Sequence, residues 1–332
     1  MPVILDDTSI PGNADIEIVN PAGRRTLTHV IHDIDGTHSL IRDWPPVMSL
    51  VIHWAMNSGL NDDFDSDENL RELIQQVGKE PLEEINRFCV ESAGLSALTQ
   101  MEFGIRRGIQ LGNIPEIPGL TLTPELTKNN EVIIERIWEG EERFDDIAEP
   151  PELIAFINER TPRLFMLYEK VLNEACRDRN TALAWKHPEK FLVPGSLEFI
   201  TYLHSIGLKN YFVTGSVIYE DGGMAEEVEA LGFKVGPDKM IEHLIGSSWD
   251  RKLPKDEVIA DLFKELGVDP SQTLVIGDGR REIMAGTNMG CVTMSRLPVD
   301  APRLRELHIE IGTNYIVNDY TDPVLMKMIH KE

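Results

Sequence analysis

The stretch "VIHDIDGTHS", residues 30–39, places two aspartates, Asp33 and Asp35, directly after a short apolar run. That run, "LTHVI" at 27–31, predicts a short buried strand. A strand that ends in two acids brings both carboxylates to the carboxyl edge of an open α/β sheet, where such sheets bind ligands. The alternative is a hairpin, because Asp-Gly is a frequent turn sequence. The stretch taken alone does not distinguish the two.

The composition limits the class of protein. A length of 332 residues predicts two domains at about 150 residues each. The chain is 42% hydrophobic and 27% charged, which is typical of soluble globular proteins. Its net charge of −24 argues against nucleic-acid or anionic-membrane partners, since both need a basic surface. A phosphorylated substrate is still allowed, because a local cation can dominate a site.

The cysteines and the N-terminal sequence indicate the cellular compartment of the protein. Cys89, Cys176 and Cys291 are far apart and odd in number, which favours a reducing compartment and gives no metal-binding spacing. Residues 1–20 lack the basic start and apolar stretch of a signal peptide. No segment reaches the roughly 18 uncharged apolar residues of a membrane span. The sequence therefore predicts a cytoplasmic protein.

The pattern along the chain changes twice. Residues 15–31 predict a β ribbon, with "NPAGR" at 20–24 as its turn. From 44 to 187 the periods are helical; for example, "WPPVMSLVIHWAMNSG" at 44–59 begins with prolines and stops at glycine. This block contains no alternating strand pattern. It is therefore predicted to be a helical domain inserted after the first strand.

From residue 188 onward, strand and helix patterns alternate. Apolar runs at 208–216, 273–277, 291–297 and 314–320 predict strands, with helical periods between them. Such alternation predicts an α/β fold with a parallel, doubly wound sheet and helices on both faces. The predicted organisation is a Rossmann-like core of residues 1–43 and 188–332, with an α-helical insert at 44–187.

Three predicted strands end in small, polar or acidic residues: Asp33-Ile34-Asp35, Thr214-Gly215-Ser216 and Gly277-Asp278-Gly279. Parallel strands place all three ends on one edge. Lys252 and Lys255 precede the third strand as candidate cations. Convergent carboxylates need compensation, so a hard cation such as Mg²⁺ is predicted.

This set of residue types fits phosphoryl transfer. Asp33 could attack phosphorus and form an aspartyl phosphate. Asp35, two residues later on an extended chain, could protonate the leaving oxygen and then activate water. Thr214, the amides after it and a lysine would hold the phosphate oxygens.

The order of these motifs resembles that of the haloacid dehalogenase (HAD) superfamily. In that family motif I is Asp-x-Asp-Gly-Thr, motif II a Ser or Thr after a strand, motif III a Lys, and motif IV a Gly-Asp pair with a second acid nearby. The matching segments are "DIDGT", "FVTGS", "LPKDEVIADLFKELG" and "VIGDGRREIMAG". The helical insert stands where the family's C1 caps stand, and it is expected to close over the site.

The resemblance assigns roles to individual residues. It implies that Asp33 is the nucleophile and a Mg²⁺ ligand, and that Asp35 is the acid/base and also binds the metal through its backbone carbonyl. It implies phosphate binding by Thr214, Gly215 and Ser216. Asp278 would bind Mg²⁺, and Glu282 stands where the family often has Asp, which leaves its direct ligation open. For motif III, Lys255 is preferred because it opens a helix, and Lys252 is the alternative.

Four further residues are candidate substrate contacts. His38 and Arg42 follow motif I, where the family's flap approaches the site, although a solvated loop explains them equally well. Arg106 and Arg107 in the insert could hold a substrate anion as a guanidinium fork. Surface salt bridges on an acidic protein are the alternative for this pair.

The sequence as a whole predicts a Mg²⁺-dependent phosphatase that hydrolyses a small phosphorylated metabolite through an aspartyl-phosphate intermediate. A phosphomutase is the first alternative, because the same residues serve if water is kept out. A non-catalytic regulatory protein that binds phosphate is the second. The sequence leaves the substrate and the oligomeric state open.

Overall fold

The computed structural model describes residues 1–8, 10–11, 14–79, 82–114, 117–218, 223–247 and 254–332. The described residues form two compact units. The first, called the core unit below, contains 1–41, 180–247 and 254–332. The second, called the helical unit, contains 42–179. It ends before residue 187, the predicted end of the insert.

The strands of the described residues, in chain order, are β1 (Val3–Asp6), β2 (Ile16–Ile18), β3 (Arg24–Leu27), β4 (His29–His32), β5 (Lys209–Val217), β6 (His243–Ser247), β7 (Thr273–Gly277), β8 (Val292–Arg296), β9 (Tyr315–Val317) and β10 (Ile329–Lys331). Seven form one sheet in the order β2-β9-β8-β7-β4-β5-β6. All neighbours in it are parallel except β2 and β9. This sheet confirms the predicted α/β fold.

The predicted ribbon over 15–31 is wrong. β2 pairs antiparallel with β9, whereas β3 pairs antiparallel with β1 in a small second sheet of order β10-β1-β3. The second arm is divided between β3 and β4, and β4 pairs parallel with β5 and β7, so the two predicted arms do not pair with each other. Their partners are distant in sequence or precede the ribbon, so local turn signals could not identify them.

The helices, in chain order, are α1 (Trp44–Asn57), α2 (Asp67–Gln76), α3 (Glu83–Glu91), α4 (Ala97–Gln110), α5 (Pro124–Glu139), α6 (Pro151–Leu172), α7 (Asp178–Ala184), α8 (Ser196–Ser205), α9 (Gly223–Ala230), α10 (Lys255–Leu266), α11 (Arg280–Met289), α12 (Pro302–Glu310) and α13 (Pro323–Met328). A π-helix, Asn173–Arg177, joins α6 to α7. Short 3₁₀ turns occupy Pro188–Lys190 and Pro270–Gln272.

The helical unit follows its local signals. Ser66 and Thr123 cap α2 and α5 by accepting hydrogen bonds from the amides of Asn69 and Leu126. Gly140 ends α5 in the left-handed conformation. Its described residues form helices and no strand, as predicted for the insert.

Helices cover both faces of the main sheet. Val30 of β4 packs into a buried cluster with Phe199 and Leu203 of α8, while Ile31 packs into another with Ile259 of α10 and Ala285 of α11. Successive residues of a strand point to opposite faces, so both faces of β4 are buried. This burial fixes the strand whose carboxyl end carries Asp33. No helix among the described residues is long and apolar enough to span a membrane.

Candidate active site

The first aspartate is held at the end of β4 by a compact turn. The amide of Asp33 donates to the carbonyl of Ile276 at 2.9 Å, which continues the pairing with β7. The carbonyl of Ile34 accepts hydrogen bonds from the amides of residues 37–39. The amide of Gly36 donates to the carbonyl of Ser39 at 2.9 Å. This closed turn sets the directions in which the two aspartates leave the backbone.

Gly36 is required by both conformation and space. Its φ of +76° lies in the left-handed region. A Cβ at this position would lie 2.0 Å from Oδ2 of Asp278. The motif I backbone therefore packs directly against the Asp278 carboxylate, a contact that only glycine allows.

Lys255 lies at the centre of the carboxylates. It is the first residue of α10, and its side chain is only 7% exposed. Its Nζ lies 2.6 Å from Oδ1 of Asp33 and 3.2 Å from Oε2 of Glu282. The alternative lysine, Lys252, lies outside the described residues.

The second acidic segment begins where β7 ends. Asp278 follows this strand, and Glu282 occupies the first turn of α11, where its Oε1 accepts a hydrogen bond from Gly279 N at 2.6 Å. The hydroxyl of Thr37 lies 3.2 Å from Oδ1 of Asp278 and 3.5 Å from Oδ2 of Asp33. Thr37 thus joins the two carboxylates.

The third strand end differs in detail from the expectation. β5 continues through Thr214, Gly215 and Ser216 to Val217, with a register shift against β6 between residues 213 and 217. Oγ1 of Thr214 accepts a hydrogen bond from the amide of Ser216 at 3.1 Å. The Ser216 hydroxyl lies 3.5 Å from Oδ2 of Asp35. The structure therefore brings the motif II segment beside Asp35.

Burial and charge act together on these acids. Burial raises the pKa of Asp33, against the attraction of Lys255, and repulsion by Glu282 raises it further. Burial and repulsion by Asp33 and Glu282 raise the pKa of Asp278 well above its ordinary value. Burial alone would lower the pKa of Lys255, but the combined attraction of the carboxylates outweighs it and raises that pKa. The acids therefore favour an additional positive charge.

The donor set suits a divalent cation. Oxygen atoms of Asp33, Asp278 and Glu282 lie within 4.8 Å of one another. When ionised, these three carboxylates outnumber the single charge of Lys255 by two, which is the charge of Mg²⁺. Carboxylate oxygens are the ligands that Mg²⁺ prefers. Both oxygens of Glu282 are already bonded, to Gly279 and to Lys255, so its first role is to position Lys255.

His38 is buried below the turn and has no exposed surface. Its Nε2 lies 2.9 Å from Nδ1 of His32, and its Nδ1 bonds to the hydroxyl of Ser196. Both ring nitrogens are therefore bonded inside the core. This placement does not suit the predicted substrate contact, and His38 is not included in the candidate site.

The three candidate arginines belong to the helical unit, and each is paired with acids of that unit. Nη1 of Arg42 lies 3.6 Å from Oε1 of Glu169. Arg106 is buried and bonds to the carboxylates of Glu102 and Glu149. Arg107 is partly exposed and bonds to Gln110 and Glu84. A substrate role for these arginines stays a prediction.

Two further residues reach the motif I turn and were not found from the sequence. Nη1 of Arg296, at the end of β8, donates to the carbonyl of Gly36 at 2.8 Å. The hydroxyl of Tyr320 donates to the carbonyl of Thr37 at 3.1 Å. Neither residue belongs to a motif, because each acts on backbone atoms more than two hundred positions away.

No curated protein matches the sequence. The chain resembles many solved structures at low identity. Among them are a phosphonoacetaldehyde hydrolase-like protein from Oleispira antarctica (17% identity, 96% of each chain covered, TM-score 0.48), a β-phosphoglucomutase from Clostridium difficile (14%, 89% of this chain and 92% of that chain, 0.45) and a HAD-family hydrolase from Deinococcus radiodurans R1 with bound phosphate and sodium (13%, 92% and 99%, 0.41).

The sequence model of one family, described as haloacid dehalogenase-like hydrolase, matches residues 65–290. The matched region is more than half of the chain, and it includes Thr214, Lys255 and Asp278. The matched region begins after the motif I turn. That turn contacts the matched region, since Asp33 bonds to Lys255 and Thr37 bonds to Asp278. The chain therefore belongs to the haloacid dehalogenase-like hydrolase family.

Proposed function

We propose that this protein is a Mg²⁺-dependent phosphatase that hydrolyses a small phosphorylated metabolite through an aspartyl phosphate on Asp33. The observation that carries the proposal is the buried contact of 2.6 Å between Asp33 and Lys255, with Asp278 and Glu282 around it. A cytoplasmic location is part of the same proposal. It is supported by the three cysteines, which are buried and unbonded to each other.

Asp33 is the proposed nucleophile because it is fixed at the end of a buried strand. One of its oxygens attacks phosphorus, and the bond between phosphorus and the leaving oxygen breaks. The leaving oxygen takes a proton from Asp35. Water then attacks the aspartyl phosphate, Asp35 takes a proton from that water, and phosphate is released while the Asp33 carboxylate re-forms.

Asp35 suits the proton-transfer role because its environment differs from that of Asp33. It is half-buried and follows Asp33 by two residues on the same turn. Its Oδ2 lies 3.5 Å from the Ser216 hydroxyl. The Lys255 ammonium, by contrast, contacts Asp33. Different surroundings of two neighbouring carboxyls allow one to attack and the other to exchange protons.

Phosphate oxygens need positive charge and hydrogen-bond donors. The Lys255 ammonium beside Asp33 supplies the charge, and the Thr214 hydroxyl with the Gly215 amide would supply donors. The Ser216 amide already donates to Oγ1 of Thr214. The carboxylates of Asp33 and Asp278 and the backbone carbonyl of Asp35 would hold Mg²⁺, with Glu282 as a further ligand directly or through water. When bound, the ion neutralises the carboxylates and draws negative charge from the phosphoryl group.

The proposal is tested by phosphate release from a panel of phosphorylated sugars, nucleotides and organic acids, with and without Mg²⁺. Asp33→Asn should abolish release. Asp261→Asn should not, because Asp261 is an exposed acid on α10. Mg²⁺-dependent release from at least one substrate supports the proposal. Isomerised sugar phosphate without free phosphate, or no Mg²⁺-dependent reaction with any substrate, would contradict it.

A further inference from the structure

The motif I turn rests on a buried chain of hydrogen bonds that the proposed reaction does not use. The chain runs from Asn210 through His32 and His38 to Ser196. All four residues are fully buried. Burying two imidazoles in an apolar core is costly unless every polar atom is bonded, so their presence needs a reason.

The donor and acceptor of each hydrogen bond in this series follow from the orientation of the Asn210 side chain. Nδ2 of Asn210 donates to the carbonyl of Met240 at 3.1 Å, which leaves Oδ1 of Asn210 facing His32. His32 must therefore carry its proton on Nε2, and its Nδ1 accepts from Nε2–H of His38. The remaining lone pair, on Nδ1 of His38, accepts the Ser196 hydroxyl proton. Only one arrangement of neutral rings satisfies every partner.

Tyr320 contacts the same turn at the ring of His38 and at the carbonyl of Thr37. Its ring stacks on that of His38, with centroids 5.0 Å apart and planes at 14°, and on that of Phe199 at 5.2 Å. Its hydroxyl donates to Thr37 O at 3.1 Å, and its amide donates to Pro194 O at 2.9 Å. The tyrosine is thus fixed at backbone, ring and hydroxyl.

The turn amides and carbonyls complete the restraint. The amide of His38 donates to Ile34 O at 2.8 Å, and the carbonyl of His38 accepts from Val193 N at 3.1 Å. His38 therefore joins the backbone of the turn, through its side chain, to two elements of the core.

We propose that His38 and Tyr320 are positioning residues that fix the motif I turn and thereby hold Asp35 in the direction needed for proton transfer. The inference rests on the proposed phosphatase function for its catalytic consequence. It reassigns His38 from the predicted substrate contact to a role inside the core. Supporting residues of this kind matter because an active-site misplacement of about 1 Å can cost roughly a hundredfold in rate.

The test compares two tyrosine variants of the core unit. Tyr320→Phe removes the hydroxyl bonded to Thr37 O and leaves the ring stack. Tyr202→Phe is the matched control, because the Tyr202 hydroxyl also donates to backbone carbonyls, those of Met326 and Ile329. Both variants should lose similar stability, since each loses hydrogen bonds from one hydroxyl to main-chain carbonyls.

Two readouts separate positioning from general stability. With p-nitrophenyl phosphate and Mg²⁺, Tyr320→Phe should lower kcat about tenfold while KM stays within about twofold, and Tyr202→Phe should change neither. Amide hydrogen exchange of the peptide covering 33–39 should accelerate about tenfold in Tyr320→Phe and stay unchanged in the control. His38→Gln, which keeps a donor for His32 but loses the ring stack, should show the same local acceleration.

Unchanged exchange of 33–39 in both Tyr320→Phe and His38→Gln would overturn the inference, as would equal loss of kcat in the two tyrosine variants. A wild-type protein without any phosphatase turnover would count against the proposed function instead. The exchange comparison would still decide whether His38 and Tyr320 hold the turn.

Discussion

Lys255 Nζ lies 2.6 Å from Oδ1 of Asp33, although the two residues are 222 positions apart in the sequence. The contact joins the first residue of α10 to the residue that follows β4, an inner strand of the main sheet. Both side chains are buried, and Glu282 contacts the same ammonium. Among the residues that the structure describes, this one ammonium therefore compensates the carboxylates of Asp33 and Glu282.

Replacing Lys255 should affect both activity and stability. Lys255→Gln should lower kcat/KM for p-nitrophenyl phosphate by about 100-fold, because a preorganised charge on the phosphoryl oxygens is lost. Without Mg²⁺ it should also reduce the free energy of unfolding by about 3–5 kcal/mol, since buried acids lose their partner. Lys264→Gln is the control, because Lys264 is an exposed lysine of the same helix. Equal activities of the two variants would exclude the assigned role.

Gly36 should tolerate no side chain. Gly36→Ala combines a positive φ of +76° with a Cβ that would lie 2.0 Å from Oδ2 of Asp278, so the acid must move. Gly290→Ala has a similar φ of +84° but nothing within 4 Å, and should cost only about 1–2 kcal/mol of stability. Steady-state kinetics should show lost turnover in Gly36→Ala and wild-type turnover in Gly290→Ala. Full activity in Gly36→Ala would contradict the close approach.

Binding of Mg²⁺ should raise the thermal unfolding midpoint. An ion at about 100 times its Kd stabilises the folded state by about 2.7 kcal/mol. Asp278→Asn should remove this shift. Without the ion it should melt at or above the wild-type temperature, because repulsion among Asp33, Asp278 and Glu282 is relieved. Asp261→Asn should keep the full shift. A full Mg²⁺ shift in Asp278→Asn would show that the ion binds elsewhere.

Much of the core could be predicted from local patterns, because buried parallel strands carry apolar runs that end in chemistry-bearing residues. The strand end at Asp33 and the helix that Lys255 opens are of this kind. The pairing of β2 with β9 and of β3 with β1 could not be predicted, since both arms of the expected ribbon are short and their partners are set by tertiary packing.

The candidate site likewise contains residues that the sequence predicts and residues that it does not. Its acids were recognisable because they lie in motifs, whereas Arg296 and Tyr320 act on main-chain carbonyls and leave no sequence signal. The position of His38 after motif I predicts a substrate contact, but its ring is bonded to His32 and Ser196. The burial of His38 beneath the motif I turn is visible only in the folded structure.

The buried histidines should make stability fall in mild acid. Burial lowers the pKa of His32 to about 4, and burial with the charges of His32 and Arg296 lowers that of His38 well below its ordinary value of 6.5. Through these histidines the unfolded chain binds more protons below about pH 6.5, so their contribution to the free energy of unfolding should decrease as pH falls from about 6.5 towards 4. The raised pKa values of Asp33 and Asp278 contribute in the opposite direction. Each histidine contributes up to about 1.4 kcal/mol per pH unit.

Urea unfolding at several pH values measures this slope. His38→Gln should reduce this slope by about one bound proton, because glutamine does not titrate. Equal slopes in His38→Gln and wild type would contradict the neutral, buried state of His38.

The central claim is that Asp33 is phosphorylated during turnover and that Asp35 handles the proton. Asp35→Asn should still be phosphorylated by p-nitrophenyl phosphate, whose leaving group needs little protonation, but should lose the base that activates water. The direct measurement is peptide mass spectrometry of Asp35→Asn quenched in acid during reaction with Mg²⁺. The account predicts one phosphoryl group on Asp33. A phosphoryl group on another residue, or wild-type turnover by Asp33→Asn, would contradict it.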